Sequence, residues 1–290
     1  MPRKDKIDCI AESTSIRQYT LFLRCLPILI LILILRMNLS IERNVPSDVS
    51  VPRPANQTLL PYLDASHGWE IGVDEAGRGP LFGRLYVAAV ILPKGPPFQH
   101  EKMKDSKKFH SEKKIKETAE YIRENAIAWH VHYIDEGTID HINIRQSVLR
   151  AMHECCRQCI RQIVEKDSLV RPAEDVFLLI DGNDFIPYTY FEETQSAIRE
   201  IPHQTIEGGD NLYTPIAAAS ILAKVARDEY IVELCSRFPE LDRKYQISRN
   251  KGYGTKHHLD GIREHGITQW HRKSFGICRT APLCEMPGDG

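Results

Sequence analysis

The chain has 290 residues, 42% of them hydrophobic and 27% charged. That balance excludes a wholly disordered, collagenous or coiled-coil chain and a polytopic membrane protein, and the length suits one large domain or two small ones. Thirty-eight Lys and Arg against 39 Asp and Glu leave a formal charge of -1, so a nucleic-acid partner has to be argued from local clusters of charge.

In chain order the first feature is an apolar run, CLPILILILIL at 25–35, closed by Arg24 and Arg36. A spanning helix needs roughly 20 apolar residues, and extending the run back to Tyr19 meets Arg24 and Pro27. As an export signal it has an h-region, but its n-region mixes basic residues with Asp5 and Asp8, and no small-residue cleavage site follows. Of an anchor at 19–36, an export signal and an over-extended gene start with Met37 as the true initiator, we favour the last, and with it a cytoplasmic location. Residues 40–66 are polar and Pro-containing, a linker composition. The expected organisation is an N-terminal extension over 1–66, one folded domain over 67–277 and a short tail over 278–290.

From residue 69 the elements alternate. Trp69, Ile71 and Val73 alternate with polar or small residues, predicting a strand that ends at Asp74-Glu75. The glycine turn AGRGPLFGR leads to a second strand over 84–92, close enough for antiparallel pairing. Ser111 is placed to cap a helix reaching Asn125, IAWHVHYI (127–134) alternates as a third strand, and 136–166 carries a helical period. VFLLID (176–181) is an apolar run ending in an acid, as expected of a strand buried on both faces. Thr214 as N-cap and Pro215 at the first position open a helix to about Arg237, and Thr255 and Gly266 bracket another. One α/β domain with a mixed sheet flanked by helices accommodates this order.

The eight cysteines are scattered, which favours a reducing compartment. Cys156 and Cys159, with His153 one turn earlier, have half the spacing of a zinc site but no second pair. The expectation is that they are ordinary helix residues.

Three elements end in carboxylates: Asp74-Glu75, Asp181, and Asp210 in the EGGD turn. Functional residues collect at such strand ends, although a single strand-end acid is more often a solvated loop residue. Converging carboxylates repel one another and call for a hard divalent cation, and two such ions can clamp the attacking and leaving oxygens of a phosphodiester. Asp74 and Glu75 face opposite ways on a regular strand, so both serve one site only if the strand twists or ends between them.

VDEAGRGPLFG (73–83) resembles the signature of ribonuclease HII, the prokaryotic type 2 ribonuclease H family. DSKK (105–108), IDGN (180–183), EGGD (207–210), AAASILAKVARDEY (217–230), KGYGT (251–255) and HRKSF (271–275) continue the likeness in order, over roughly residues 69–276. The Gly77-Arg78-Gly79 pattern favours this family over its sister, ribonuclease HIII, whose extra N-terminal domain has no room before residue 69. The resemblance implies a ribonuclease H-like fold, with Asp74, Glu75, Asp181 and Asp210 as catalytic and metal-binding carboxylates for Mg²⁺ or Mn²⁺, two ions during catalysis. It implies an endonuclease for the RNA strand of RNA–DNA hybrids and for single ribonucleotides in duplex DNA, cutting on the 5′ side to leave 3′-hydroxyl and 5′-phosphate ends. A monomer without a small-molecule cofactor is expected.

Only the 2′-hydroxyl separates RNA from DNA at a given site, and a glycine turn lets backbone groups approach a sugar closely. The resemblance assigns that reading to Gly77, Arg78 and Gly79 with Tyr253. Residues 102–116 hold seven lysines against two acids, and 243–273 hold eight Lys and Arg against two. Such runs are usually solvated faces, but beside an acidic site they suit a duplex gripped at its phosphates. Lys107 is the phosphate candidate with Ser106 assisting, while Lys224, Arg227 and Asp228 are spaced for a supporting ion-pair network. Arg84, His257 and the short tail after Phe275 depart from the family pattern. The competing readings are a non-catalytic hybrid-binding module, tethered through 19–36, and a junction resolvase on the same fold.

Overall fold

A computed structural model describes residues 58–192 and 195–284. The apolar run, Met37, the membrane contact through 19–36 and the last six residues lie outside that range. No described helix is long and apolar enough to cross a membrane.

Strict alternation builds the centre. In β2 (Leu85–Ile91), Val87, Ala89 and Ile91 join one buried cluster while Tyr86, Ala88 and Val90 join another, as a strand covered on both faces requires. β2 lies antiparallel to both β1 (Trp69–Ala76) and β3 (Ala128–Ile134). β4 (Val176–Asp181) runs parallel to β1, and β7 (His203–Ile206) parallel to β4, giving the order β3-β2-β1-β4-β7. β5 (Thr189–Glu192) and β6 (Ala197–Glu200) form a separate hairpin. These last three strands, four residues each, were not anticipated: they are too short to display a period.

Eight helices are described: α1 (Glu112–Asn125), α2 (Glu136–Ile142), α3 (Ile144–Lys166), α4 (Pro172–Asp175), α5 (Thr214–Arg237), α6 (Glu240–Tyr245), α7 (Ile247–Asn250) and α8 (Lys256–His265). The helical stretch read over 136–166 is two helices, broken where Asn143 takes φ 67° and its side chain caps α3 through the Gln146 amide at 3.0 Å. α3 covers one face of the sheet with Val148, Ala151, Met152, Cys155, Cys156, Cys159 and Ile163. Each large side chain fully buried there contributes about 1.5–3 kcal/mol. All three cysteines are core residues; the Cys155 and Cys159 thiols point at the Val87 and Ala89 carbonyls at 3.3 and 3.4 Å, and His153 bonds the Ile186 carbonyl instead.

α5 covers the other face, its alanines lying on β1 and β2 with α1 alongside. Gly72 explains how close it comes: a Cβ there would lie 2.1 Å from the Pro215 carbonyl carbon. The cap of α5 differs from expectation. Thr214 is the first helical residue and Tyr213 holds the cap position without a side-chain bond. The Leu60 carbonyl accepts the Thr214 amide at 2.9 Å, and the Thr214 hydroxyl is paired with His100 Nδ1 at 2.8 Å. Residues from Leu60 onward, assigned to the extension by composition, thus bond to the domain, with the Leu63 and Asp64 amides also donating to Glu70 at 2.8 Å. At the other end the tail returns, the Cys284 amide donating to Ile267 at 2.6 Å. α6, α7 and α8 pack on the distal half of α5 around Ile231, Leu234, Leu241, Tyr245, Ile262 and Phe82.

Candidate functional site

Two adjacent parallel strands deliver the first acids. Val73 and Ile180 are ladder partners, so Asp74 and Asp181 follow at the same end of the sheet. Asp74 shares the parity of Gly72 and Asp181 that of Leu179, so both project toward α5. There Ser220 hydrogen-bonds Asp74. Asp210 arrives by the turn after β7, in which Gly208 is left-handed at φ 64° and the Gly209 amide donates to Asp181 Oδ1 at 2.7 Å. A Cβ on Gly209 would lie 2.5 Å from Ile216 Cδ1, which ties this turn to the first residues of α5.

β1 runs through Asp74 and Glu75 rather than ending between them. Glu75 nevertheless stays in the group: its amide donates to Asp74 Oδ1 at 2.6 Å, and its carboxylate lies 3.5 Å from the Arg78 guanidinium. Asp74 and Asp210 are each 5% exposed. Burial, then the charges of Asp181 and Glu75, holds Asp74 well above the usual carboxylate range. Glu75 is raised by burial, with Arg78 opposing and Asp181 adding. Burial raises Asp181 against the amides of Gly209 and Asp210. Burial, Asp105 and Asp181 push Asp210 up to about 6. Lys107 is raised because Asp210, Asp105, Asp74 and Asp181 outweigh its own burial. Four acids and one ammonium therefore share a single electrostatic neighbourhood.

Among the described residues no three His, Cys, Asp or Glu side chains are grouped tightly enough to form a metal cage by themselves. The donor chemistry still fits a hard ion. All the donors are carboxylate oxygens, they repel one another without a counter-charge, and magnesium takes one or two carboxylates and completes its shell with water and substrate phosphate.

The DSKK segment closes the corner from one side. Asp105 caps the turn at Ser106–Lys108 through the Lys107 amide at 2.8 Å, and Asn211 Nδ2 bridges Asp210 at 2.9 Å and Asp105 at 3.3 Å. Lys108 bonds the Asn211 side chain. Ser106, expected to assist Lys107, is buried, and its hydroxyl meets that of Ser220 at 3.0 Å. The burial of Asp105 beside Asp210 is a tertiary fact with no local signal in the sequence.

The glycine turn closes the other side. Gly77 has φ 91°, and a Cβ on it would lie 2.2 Å from Arg227 Nε. Arg227 donates to the carbonyls of Phe82, Arg84 and Lys251 at 3.1, 3.2 and 2.9 Å. It is therefore outside the anticipated network, which reduces to a Lys224–Asp228 pair at 2.8 Å. Arg272, which sequence reasoning passed over, is fully buried and donates to Gly77, Arg78, Pro80 and Gly83 carbonyls at 2.6–3.1 Å. The KGYGT loop docks on this turn: the Leu81 amide donates to Gly252 at 2.9 Å, and Gly252, at φ 82°, has no room for a Cβ beside the Phe82 carbonyl. Docking brings Tyr253 to Gly79, where its Cε1 lies 3.9 Å from the place a Cβ would occupy. Arg78 and Tyr253 remain exposed. Arg84 stacks between Tyr133 and Tyr230, at 4.1 and 4.5 Å from the ring centroids.

The family model described as Ribonuclease HII matches residues 71–278. A ribonuclease HII from Parabacteroides distasonis is 44% identical over 219 residues, covering 76% of this chain and 95% of the relative. One from Phocaeicola vulgatus is 41% identical over 229 residues, covering 79% and 99%. Among solved structures, one titled as the PCNA:RNase HII complex from Archaeoglobus fulgidus aligns with a TM-score of 0.50 at 24% identity, over 72% of this chain and 96% of that one. Ribonuclease H2 from Pyrococcus horikoshii OT3 aligns with a TM-score of 0.51 at 18% identity, over 73% and 95%. Identity that low carries the fold alone, whereas the family match and the relatives span both the acidic corner and the glycine turn. The chain belongs to the ribonuclease HII family and is a ribonuclease H, an endonucleolytic hydrolase acting on RNA–DNA hybrids.

Proposed function

We propose that this ribonuclease H also nicks duplex DNA on the 5′ side of a single embedded ribonucleotide, leaving 3′-hydroxyl and 5′-phosphate ends. The observation that supports this reading is the shared strand end: the acids of β1 and β4 lie at the same end of two adjacent strands, and β1 leads straight into the Gly77–Gly79 backbone that Tyr253 approaches. A ribose can approach Gly79 more closely than any side chain would allow, so backbone groups can test its 2′-hydroxyl while the Tyr253 ring packs on the adjoining sugar.

Asp74, Glu75, Asp181 and Asp210 would hold Mg²⁺ or Mn²⁺, two ions during the reaction, which when bound supply charge stabilisation to the attacking and leaving oxygens of the phosphodiester. The chain's own groups do the rest. Asp181 is oriented by the Gly209 amide and Asp74 by Ser220, so neither carboxylate has to reorganise. Lys107, kept charged by the surrounding acids, offers an ammonium to a phosphate oxygen of the strand being cut. Arg78, exposed beside Glu75, offers a second cation at the sugar–phosphate backbone.

The test is a duplex bearing one ribonucleotide beside an all-DNA duplex and an all-DNA four-way junction. The proposal expects one nick, in the first substrate only, and only with the divalent ion. Binding without cleavage would favour the hybrid-binding module, and cleavage of the junction alone would favour a resolvase.

A further inference from the structure

Between the KGYGT loop and Arg272 lie two histidines that the acidic chemistry does not use. His258 and His271 are both fully buried, with their Nε2 atoms 3.1 Å apart. His258 Nδ1 is 2.9 Å from the Tyr253 carbonyl. His271 Nδ1 is 2.9 Å from both the Thr268 amide nitrogen and the Thr268 hydroxyl. The partners assign the tautomers. A carbonyl only accepts, so His258 Nδ1 carries a proton; an amide only donates, so His271 Nδ1 carries none. A neutral His271 then bears its proton on Nε2 and donates it to the bare Nε2 of His258. Every buried imidazole nitrogen is satisfied in this one arrangement. Burial lowers His258 below the ordinary imidazole range, and burial beside His258 lowers His271 to about 3, in keeping with two neutral rings.

The relay ends on Tyr253, which is 51% exposed. Its ring approaches Gly79, and the Arg227 guanidinium lies 6.0 Å from its centroid. Glycines flank it on both sides, which leaves the local backbone soft. Its direction is therefore set by its backbone: the amide donates to Asn250 at 3.0 Å, and the carbonyl accepts from Thr255 at 2.8 Å and from His258. The imidazoles are wedged between Phe82 of the glycine turn and Tyr245 of α6, with His271 at centroid distances of 5.0 Å from each. The same pair thus fixes Tyr253 relative to the turn it overhangs.

We propose that His258 and His271 are positioning residues for ribonucleotide recognition, holding Tyr253 over Gly79 through a neutral, single-tautomer imidazole relay. The inference rests on the reading that Tyr253 contacts the sugar. Two measurements on the full chain test it. Nitrogen-15 NMR of the wild-type imidazoles is expected to find His258 protonated on Nδ1 and His271 on Nε2; a His258 protonated on Nε2 overturns the proposal. The second compares His258→Asn, whose amide can still donate to the Tyr253 carbonyl, with His258→Gln, which reaches His271 but loses that bond. On the single-ribonucleotide duplex His258→Gln should lose about tenfold in kcat with KM changed by less than about twofold, and His258→Asn should hold kcat within about threefold. A purely structural role predicts instead that kcat follows thermal stability in both variants, and that result, or equal kcat in the two, overturns the inference. Tyr253→Ala separates the layers. If it leaves kcat unchanged, the sugar-contact reading fails and takes the inference with it; if it loses activity while Asn and Gln behave alike, only the inference falls.

Discussion

The acidic corner and the glycine turn sit side by side and are built by opposite means. In the corner, buried carboxylates face each other with few protein donors, and their proton affinities are driven up by burial and mutual charge. In the turn, the backbone carbonyls are tied down by two buried arginines, four by Arg272 and two by Arg227, which also holds the Lys251 carbonyl of the KGYGT loop. The corner is an electrostatic deficit that a cation relieves; the turn is over-determined and keeps its shape without a ligand. On the proposed reading, tension in the first suits a site that ions complete, and rigidity in the second suits a surface that tests one hydroxyl group.

The contrast is sharpest under substitution. Asp74→Asn and Asp181→Asn should lower metal-dependent cleavage by at least about a hundredfold, since even outer partners of metal ligands act on that scale. Their melting temperatures without metal should hold or rise, because a disfavoured charge is removed; a large drop would mean the corner is a structural network instead. Arg272→Met does the reverse. It strands buried carbonyls at roughly 1–3 kcal/mol each, so the melting temperature should fall steeply, and a variant as stable as wild type would deny the turn its arginine bolt.

A gentler probe is the pair Gly79→Ala and Gly77→Ala. A Cβ on Gly79 meets nothing nearer than Tyr253 Cε1 at 3.9 Å, whereas on Gly77 it strikes Arg227 at 2.2 Å in a left-handed backbone. Gly79→Ala should therefore melt like wild type yet lose roughly tenfold in cleavage as the added methyl displaces the ribose. Gly77→Ala should lose stability. Equal behaviour of the two would remove the distinction between a recognising and a supporting glycine.

The smallest effect is in pH. Asp210 has a folded-state value of about 6 against an ordinary 3.8, so the fold binds its proton more tightly than the unfolded chain does. That contribution is present at low pH and lost as pH rises through about 6. In chelator, Asp210→Asn should gain stability relative to wild type between about pH 4.5 and pH 7; a constant gap across that window would contradict the assigned strain.

Much of this was legible in the sequence, for identifiable reasons. β1, β2, β3 and β4 carry runs or alternation long enough to show, and Ser111 and Thr255 cap α1 and α8 as read, accepting the Lys114 and His258 amides at 3.4 Å. The four acids stood at motif positions. What stayed hidden was tertiary: Ser106 turned inward to Ser220, Thr214 was drawn off its cap by Leu60 and His100, and Arg272 spent its guanidinium on carbonyls nearly two hundred positions away in sequence. A buried arginine bonded only to backbone has no charged partner for sequence spacing to reveal. The histidine relay is hidden too, because its links join the start of α8 to two loops and no period or charge pattern in the sequence marks them.

The most direct test of the account incubates the purified full chain with a duplex containing one ribonucleotide, with magnesium and with chelator, and maps the ends produced. The four-carboxylate site predicts a single cut 5′ of the ribonucleotide, bearing a 3′-hydroxyl and a 5′-phosphate, in magnesium alone. Undiminished cutting in chelator, or a 2′,3′-cyclic phosphate at the nick, would contradict it.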